Sequence, residues 1–235
     1  MQKLLMPFNK CMMLCGYKNP EYTKYWGYKH YGVDISTIQG NASNDHRVLA
    51  SGDGTVIDCG FDNSGGNIIL IRYNDVYNHK TGKVQSLIAR YMHLASINVK
   101  AGQNVSALEA IGIEGKSQTK GYHLHIEFET DINYPYHSPQ VSGRDDKLTR
   151  KQGNILLHGP EDATINPSHI FYIGEGQTIV EPTYAPNWLN SEDLIIPKLD
   201  NNIYEEYKKA LSELAKEKNK TASLKNDILN ILKNY

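Results

Sequence analysis

Four histidines and one aspartate fall in three short motifs with the residue types of a hydrolytic metal site. KHYGVDIS holds His30 and Asp34, RYMHL holds His93, and GYHLHIEFE holds His123 and His125. Each spacing is a weak signal alone, since a random chain with nine His shows about half an HxxxD and about a third of an HxH. Their physical setting says more. Alternate side chains of a strand share a face, so His123, His125, Glu127 and Glu129 are expected on one side and Leu124, Ile126 and Phe128 on the other, toward a core. The two imidazoles then stand roughly 6.5 to 7 Å apart at their Cα atoms, a spacing that lets one bind a metal while its neighbour addresses a water held there.

A hydrolytic zinc site needs three nitrogen or oxygen ligands and one open position for water. His30, Asp34 and one histidine of the HLH strand meet that count, and His93 remains as an unliganded partner. Gly32, inside HYGVD, is expected to let the backbone turn tightly enough for His30 and Asp34 to converge. No cysteine lies in these motifs, which favours a catalytic over a structural zinc. The other histidines (His46, His79, His137, His158 and His169) are read as surface or hydrogen-bonded residues. Of the three cysteines, Cys11 and Cys15 are four apart and would share a helix face. With no second pair at zinc-finger spacing they are read, like Cys59, as buried or incidental thiols without chemistry.

The elements that must hold these residues read as mostly β. From about residue 47 to 130, short apolar or alternating runs are broken by Gly, Asn and Asp. RVLASGDGTVIDCG carries a Gly-Asp-Gly turn and reads as a hairpin, NSGG precedes the strand NIILIRY, and SLIARYMHL, GYHLHIEFE and AIGIEG complete the set. The polar stretch from Asp131 to Pro167 reads as an insertion or surface loop, and INPSHIFYI as a return to the core. GEGQTIVEPTYAPNWLN reads as an extended linker stiffened by Pro182 and Pro186. Beyond Pro197 there is no Gly or Pro, and Ile203, Tyr207, Ala210, Leu214, Glu217, Thr221, Leu224, Ile228, Ile231 and Tyr235 follow alternating steps of four and three. Such a seam suits a docked helix or an oligomerising coiled coil.

Composition removes several classes of function. With 235 residues, 40% hydrophobic and 22% charged, the chain is ordinary globular text, and its formal net charge of -1 offers no field for a phosphate backbone, so nucleic acid is not expected as a partner. No stretch approaches the 18 to 20 apolar residues of a membrane span. MQKLLMPFNKCMMLCGYK lacks an uninterrupted apolar h-region and a small-residue cleavage site. Tyrosine is over-used, 16 against 4 Phe and 2 Trp, and its apolar body with a polar tip suits surfaces and clefts that meet polar ligands.

In order, HxxxD (His30, Asp34), SGDGTV, YMHL, AGQNV and HLHIE resemble the lysostaphin-type zinc metalloendopeptidases, peptidoglycan hydrolases with HxxxD and HxH motifs. The resemblance covers about residues 28 to 130, with INPSHIFY similar to that family's exit from the fold. It implies one Zn2+ per chain held by His30, Asp34 and His125, catalytic roles for His93 and His123, and bacterial peptidoglycan as the partner. It also implies hydrolysis of stem-peptide or cross-bridge bonds by a metal-activated water. The implied fold is a mainly β, antiparallel metallopeptidase core in residues 1–173 (core 28–130, insertion about 131–167), a linker at 174–197 and a helical or coiled-coil tail at 198–235. GIEGKSQTKGYHLH keeps Gly115 and Gly121 but departs from the Ser/Thr-Gly-rich text usual before HLH, which leaves substrate specificity open. The absence of a recognisable leader resembles phage or prophage lysins, made in the cytoplasm and acting at the wall after lysis, holin-type release or delivery on a phage particle. Other readings are a non-catalytic wall-binding or amidase-regulating member of the fold, and a structural phage-tail component that forms homo-oligomers through the C-terminal helix.

Overall fold

The computed structural model describes residues 1–63, 65–130, 132, 163–182 and 186–200, together with Lys209, Glu213, Glu217 and Lys220. Two compact units divide the chain, Met1–Pro197 and Lys198–Tyr235. In the second, Lys209, Glu213, Glu217 and Lys220 are helical and exposed; the rest of the expected helical tail lies outside the described residues. No helix among the described residues is long and apolar enough to cross a membrane.

In chain order the first unit runs β1 (Leu4–Leu5), β2 (Lys10–Cys15), α1 (Pro20–Trp26), β3 (Val33–Ser36), β4 (Arg47–Leu49), β5 (Gly54–Asp62), β6 (Gly66–Tyr77) and β7 (Val84–Leu94). It continues with β8 (Ser96–Ile97), β9 (Asn104–Val105), β10 (Ala110–Ile113), β11 (Leu124–Glu129), β12 (Thr164–Ile165), β13 (Phe171–Tyr172) and β14 (Thr178–Val180). The largest sheet follows the order β14-β2-β3-β11-β7-β6-β5-β9, with β12 also on β11; β4-β10-β8 form a second sheet and β1-β13 a third. Its pairings are antiparallel apart from β14 on β2. The expected mainly β, antiparallel architecture is therefore what the chain adopts.

Strand text explains why the middle of the large sheet is its firmest part. Ile69, Ile71, Tyr73, Leu87, Ala89, Tyr91, Leu124, Ile126 and Phe128 fill the main core from one face. Ile68, Leu70, Ile88 and Met92 form a second cluster on the other. NIILIRY is apolar without alternation because both of its faces are covered. Each such side chain contributes about 1.5–3 kcal/mol on burial, so β6, β7 and β11 make a stiff support.

Several sequence expectations need correction. The Gly-Asp-Gly turn does not close a hairpin: β4 pairs with β10, whereas β5 pairs with β6 and β9. Asp53 is instead a corner between sheets, its carboxylate accepting from Ala107 N at 2.9 Å and its carbonyl from the Gln2 side chain at 3.1 Å. Residues 1–27, left without elements, supply β1, β2 and α1. Cys11 and Cys15 therefore lie on a strand, not a helix face, and both are buried.

Residues 174–197 do not stand off as a linker. Thr178–Val180 extends the large sheet beside β2, and a 3-10 turn at Ser191–Leu194 buries Asp193, whose carboxylate accepts from Asn166, Ser168 and Asn190. The supposed insertion ends by rejoining the sheet, Ile165 facing Phe128 and Thr164 facing Glu129. INPSHIFYI does return to the core, with Ile170 and Phe171 fully buried. Residues 131 and 133–162 lie outside the described residues.

Candidate metal centre

β11 runs between β3 and β7, and this order brings the three motifs together. His125 is paired with Asp34 across β3 and with Met92 across β7, so HLH lies between HxxxD and YMHL. Gly32 admits the loop that carries His30, but not by turning. Its φ is not positive; a Cβ there would lie 2.3 Å from Ile126 O and 2.8 Å from His125 Nε2. The glycine permits close approach to β11, which is a different use of a missing side chain.

Three atoms converge. His30 Nε2 lies 3.1 Å from Asp34 Oδ1 and 3.0 Å from His125 Nδ1, and His125 Nδ1 lies 2.8 Å from the same Asp34 oxygen. Each ring is oriented from behind. His30 Nδ1 donates to Gly16 O at 2.8 Å, and His125 Nε2 donates to Glu127 Oε1 at 3.0 Å. With those protons committed, either ring when neutral would turn a lone pair inward beside a carboxylate oxygen, the arrangement that outer partners impose on metal-binding histidines. Three acceptors at this spacing repel one another unless a cation or proton sits among them. Donor–donor edges of about 3.3 Å are expected around a tetrahedral ion with bonds of about 2.0–2.1 Å, close to the edges here. The residues fit a divalent cation.

Electrostatics point the same way. Burial penalises a charged Asp34, yet His30 and His123, with hydrogen bonds from His125 and His30, hold its carboxyl well below the usual range. Burial also opposes charge on His125, but hydrogen bonds to Asp34 and Glu127 push its pKa up to about 10. Glu127, buried and desolvated, is kept low by His125 and Arg90. The centre is therefore built to hold positive charge. Cys15 Sγ, His30 and Asp34 form a second grouping, with ligand atoms within 4.8 Å of one another. Burial, then the charges of Asp34 and Asp193, push the Cys15 thiol upward, so its deprotonation costs more than use of the neutral imidazoles. Sequence reading gave Cys15 no chemistry and did not foresee its proximity.

His93 and His123 stand beside this centre, their ring centroids 4.8 Å apart, with His93 6.2 Å from His125. Strand alternation would put His93 on the face opposite Met92. A bulge prevents that: Asn67 pairs with Leu94 and Ile69 with Tyr91, so Met92 and His93 stand opposite Ile68 alone, and His93 has φ +66°. A left-handed conformation at a non-glycine residue is costly, and bulges beside sites serve to re-aim a side chain. His93 Nδ1 donates to Ser117 O at 2.9 Å and His123 Nδ1 to Gly121 O at 3.0 Å. Gly115 allows the intervening loop to press on β7, since a Cβ there would lie 2.2 Å from Ala95 N. Burial, with His123 and His125 nearby, lowers the pKa of His93 to about 3.

All five sequence-predicted residues are thus in one place. What sequence reading missed is their support. Glu127, on the histidine face of the strand, is buried and holds His125. Gly16, in a region left unassigned, holds His30. Glu114 is buried and accepts from Ser36 Oγ at 2.5 Å and Thr37 N at 2.9 Å, clamping the end of the strand that carries Asp34. Nothing in a single glutamate announces such a role.

Residues 28–136 match the model of Peptidase family M23, a segment that spans this site. Peptidoglycan DD-endopeptidase ShyA of Vibrio cholerae is 33% identical over 99 residues, 42% of this chain and 20% of that protein. Glycyl-glycine endopeptidase ALE-1 of Staphylococcus capitis is 34% identical over 110 residues, 45% of this chain and 26% of that protein. The matched segment therefore spans well under half the length of these curated relatives. The catalytic domain of lysostaphin from Staphylococcus simulans shows 29% identity over 54% of this chain and 81% of its own, at a TM-score of 0.36.

Proposed function

We propose that the chain is a zinc-dependent endopeptidase that hydrolyses peptide bonds of bacterial peptidoglycan, in stem peptides or cross-bridges. One Zn2+ per chain would be held by His30, Asp34 and His125. The observation that carries this reading is the convergence of His30 Nε2, Asp34 Oδ1 and His125 Nδ1 at 2.8 to 3.1 Å, inside a segment that matches Peptidase family M23 and whose relatives include named peptidoglycan endopeptidases.

When bound, such an ion supplies Lewis acidity, lowering the pKa of water and polarising a carbonyl. The chain's own residues do the rest. Glu127 and the Gly16 carbonyl fix the two imidazole ligands, so little reorganisation is needed on binding. His93 and His123 have each spent Nδ1–H on a loop carbonyl, which leaves Nε2 turned away from it, that of His123 toward Asp34 Oδ1 at 3.7 Å. In the neutral ring Nε2 accepts a proton; once protonated it donates a hydrogen bond to a developing oxyanion or a proton to the leaving amine. The pair covers both needs of amide hydrolysis.

Mass spectrometry of fragments released from purified peptidoglycans of several cross-bridge types, by zinc-loaded protein and an Asp34→Ala control, tests the proposal. New N-termini within stem or bridge peptides, absent from the control, support it and name the bond. Intact walls of every type, despite one bound zinc per chain, would overturn it in favour of a wall-binding or structural role.

A further inference from the structure

A shelf of aromatic rings begins at the metal centre and runs out to solvent. Tyr22 lies against His30, centroid to centroid 4.5 Å and tilted 33°. Around it are Tyr28 at 5.7 Å, Trp188 at 5.9 Å and Trp26 at 6.3 Å. Tyr25 continues the cluster, 4.9 Å from Trp26 and 6.0 Å from Trp188. No residue of α1 is buried, and Tyr25 and Trp26 are 69% and 45% exposed. Clustered exposed aromatics are costly to leave in water and mark interaction sites.

The shelf is fixed to the centre. Asn19 caps α1 and donates to Asn187 O at 3.2 Å and Asn190 Oδ1 at 3.1 Å, joining the helix to the segment that carries Trp188. The carbonyl of Trp188 accepts from Gly16 N at 2.8 Å, and Gly16 O in turn accepts from His30. Rings held in this way lose little entropy on binding. The helix charges flanking them, Glu21 and Lys24, face each other at 3.8 Å. The shelf therefore presents aromatic rings with neutral polar tips, bordered by the exposed Lys29 that follows Tyr28.

We propose that Tyr22, Tyr25, Trp26, Tyr28 and Trp188 form a saccharide-stacking subsite, which holds a pyranose ring of the glycan strand while the attached peptide reaches the metal centre. The occupant follows from chemistry and position. A sugar ring has an apolar C–H face for stacking and hydroxyl edges for phenol and indole tips. Tyr22 packs on the His30 ring at 4.5 Å, which places the shelf next to the bond that the centre would cleave. The subsite deepens the endopeptidase reading and rests on it for the identity of the polymer. Most of the shelf, Tyr22 to Trp26 with Trp188, lies outside the M23 match at residues 28–136.

Trp26 and Trp188 are the chain's two tryptophans, so intrinsic indole fluorescence reports this surface. Titration of the metal-free 235-residue chain with peptide-free glycan strands, and separately with an N-acetylglucosamine tetramer, should give a saturable emission change. Tyr25→Ala, which keeps both indoles, should weaken it about tenfold. With zinc-loaded protein, the same variant should raise KM about tenfold for a cross-linked substrate that bears its sugars, with KM for the sugar-free peptide and metal content unchanged. An emission change driven by sugar-free peptide, or by protein concentration alone, would assign the shelf to a peptide or to a second copy and overturn the proposal. So would silence with both glycans. The fluorescence arm needs no turnover, so it decides the subsite even if the endopeptidase reading fails.

Discussion

The two halves of the centre are held in different ways. His30, Asp34 and His125 sit on or beside paired strands, in register, with each ring backed by an acceptor in the protein. His93 and His123 owe their positions to a bulge and to two loop carbonyls, at Ser117 and Gly121. In the proposed reading the first half would hold the cation and the second would handle protons, with His123 Nε2 3.7 Å from Asp34 Oδ1. A site that must hold an ion and also move protons gains from this division, since ligands benefit from immobility and acid–base groups from access.

That contrast predicts separable losses. Asp34→Ala removes the oxygen shared by both ligand histidines, so bound zinc should fall from one per chain to near zero by elemental analysis, and turnover should vanish with it. His123→Ala and His93→Asn should lower turnover by about 10²–10⁴-fold while metal content stays at one. Asn tolerates the left-handed backbone at position 93. Loss of metal in either variant would mean that the two halves are not separate. Glu127→Gln keeps the size of the side chain but weakens the hold on His125; zinc affinity, measured by chelator competition, should drop about 10–100-fold.

The smallest expected effect is on stability. The folded His93 has its pKa lowered to about 3 by burial and by the charges of His123 and His125, against about 6.5 when unfolded. The unfolded chain therefore takes up this proton first as pH falls. The stabilisation is fully present above about pH 6.5 and declines toward pH 3, by up to about 1.4 kcal/mol per pH unit. Denaturant titrations of metal-free protein between pH 6.5 and 5 should show this slope, and His93→Asn should flatten it. An unchanged slope would mean that His93 is not buried as a neutral ring.

Much of the site was legible because it is written in short-range patterns. HxxxD and HxH name ligand types within a few residues, and the alternation of Leu124, Ile126 and Phe128 against the histidines set the face of β11. The strand NIILIRY after the NSGG break was equally local. What escaped reading was non-local or broke its own period. KCMMLC in β2 is apolar without alternation because both sides are covered, and so resembles neither an amphipathic strand nor a helix. TIV at 178–180 is too short to announce a strand until β2 lies beside it. Gly32 looked like a turn residue, because a sequence cannot distinguish a glycine needed for its φ from one needed for the space of its missing Cβ.

By itself the sequence determined the inventory: a β-rich chain without the charge to hold nucleic acid, carrying five residues of metal-hydrolase type at motif spacing. Only the tertiary structure decided that β11 lies between β3 and β7, that a bulge turns His93 toward His123, and that Gly16 and Glu127 stand behind the ligands. The same holds for the proximity of Trp188 to α1. Side-chain types and local periods are properties of neighbouring residues, whereas register, close approach and the second partner of a buried ring depend on segments that meet only when the chain has folded.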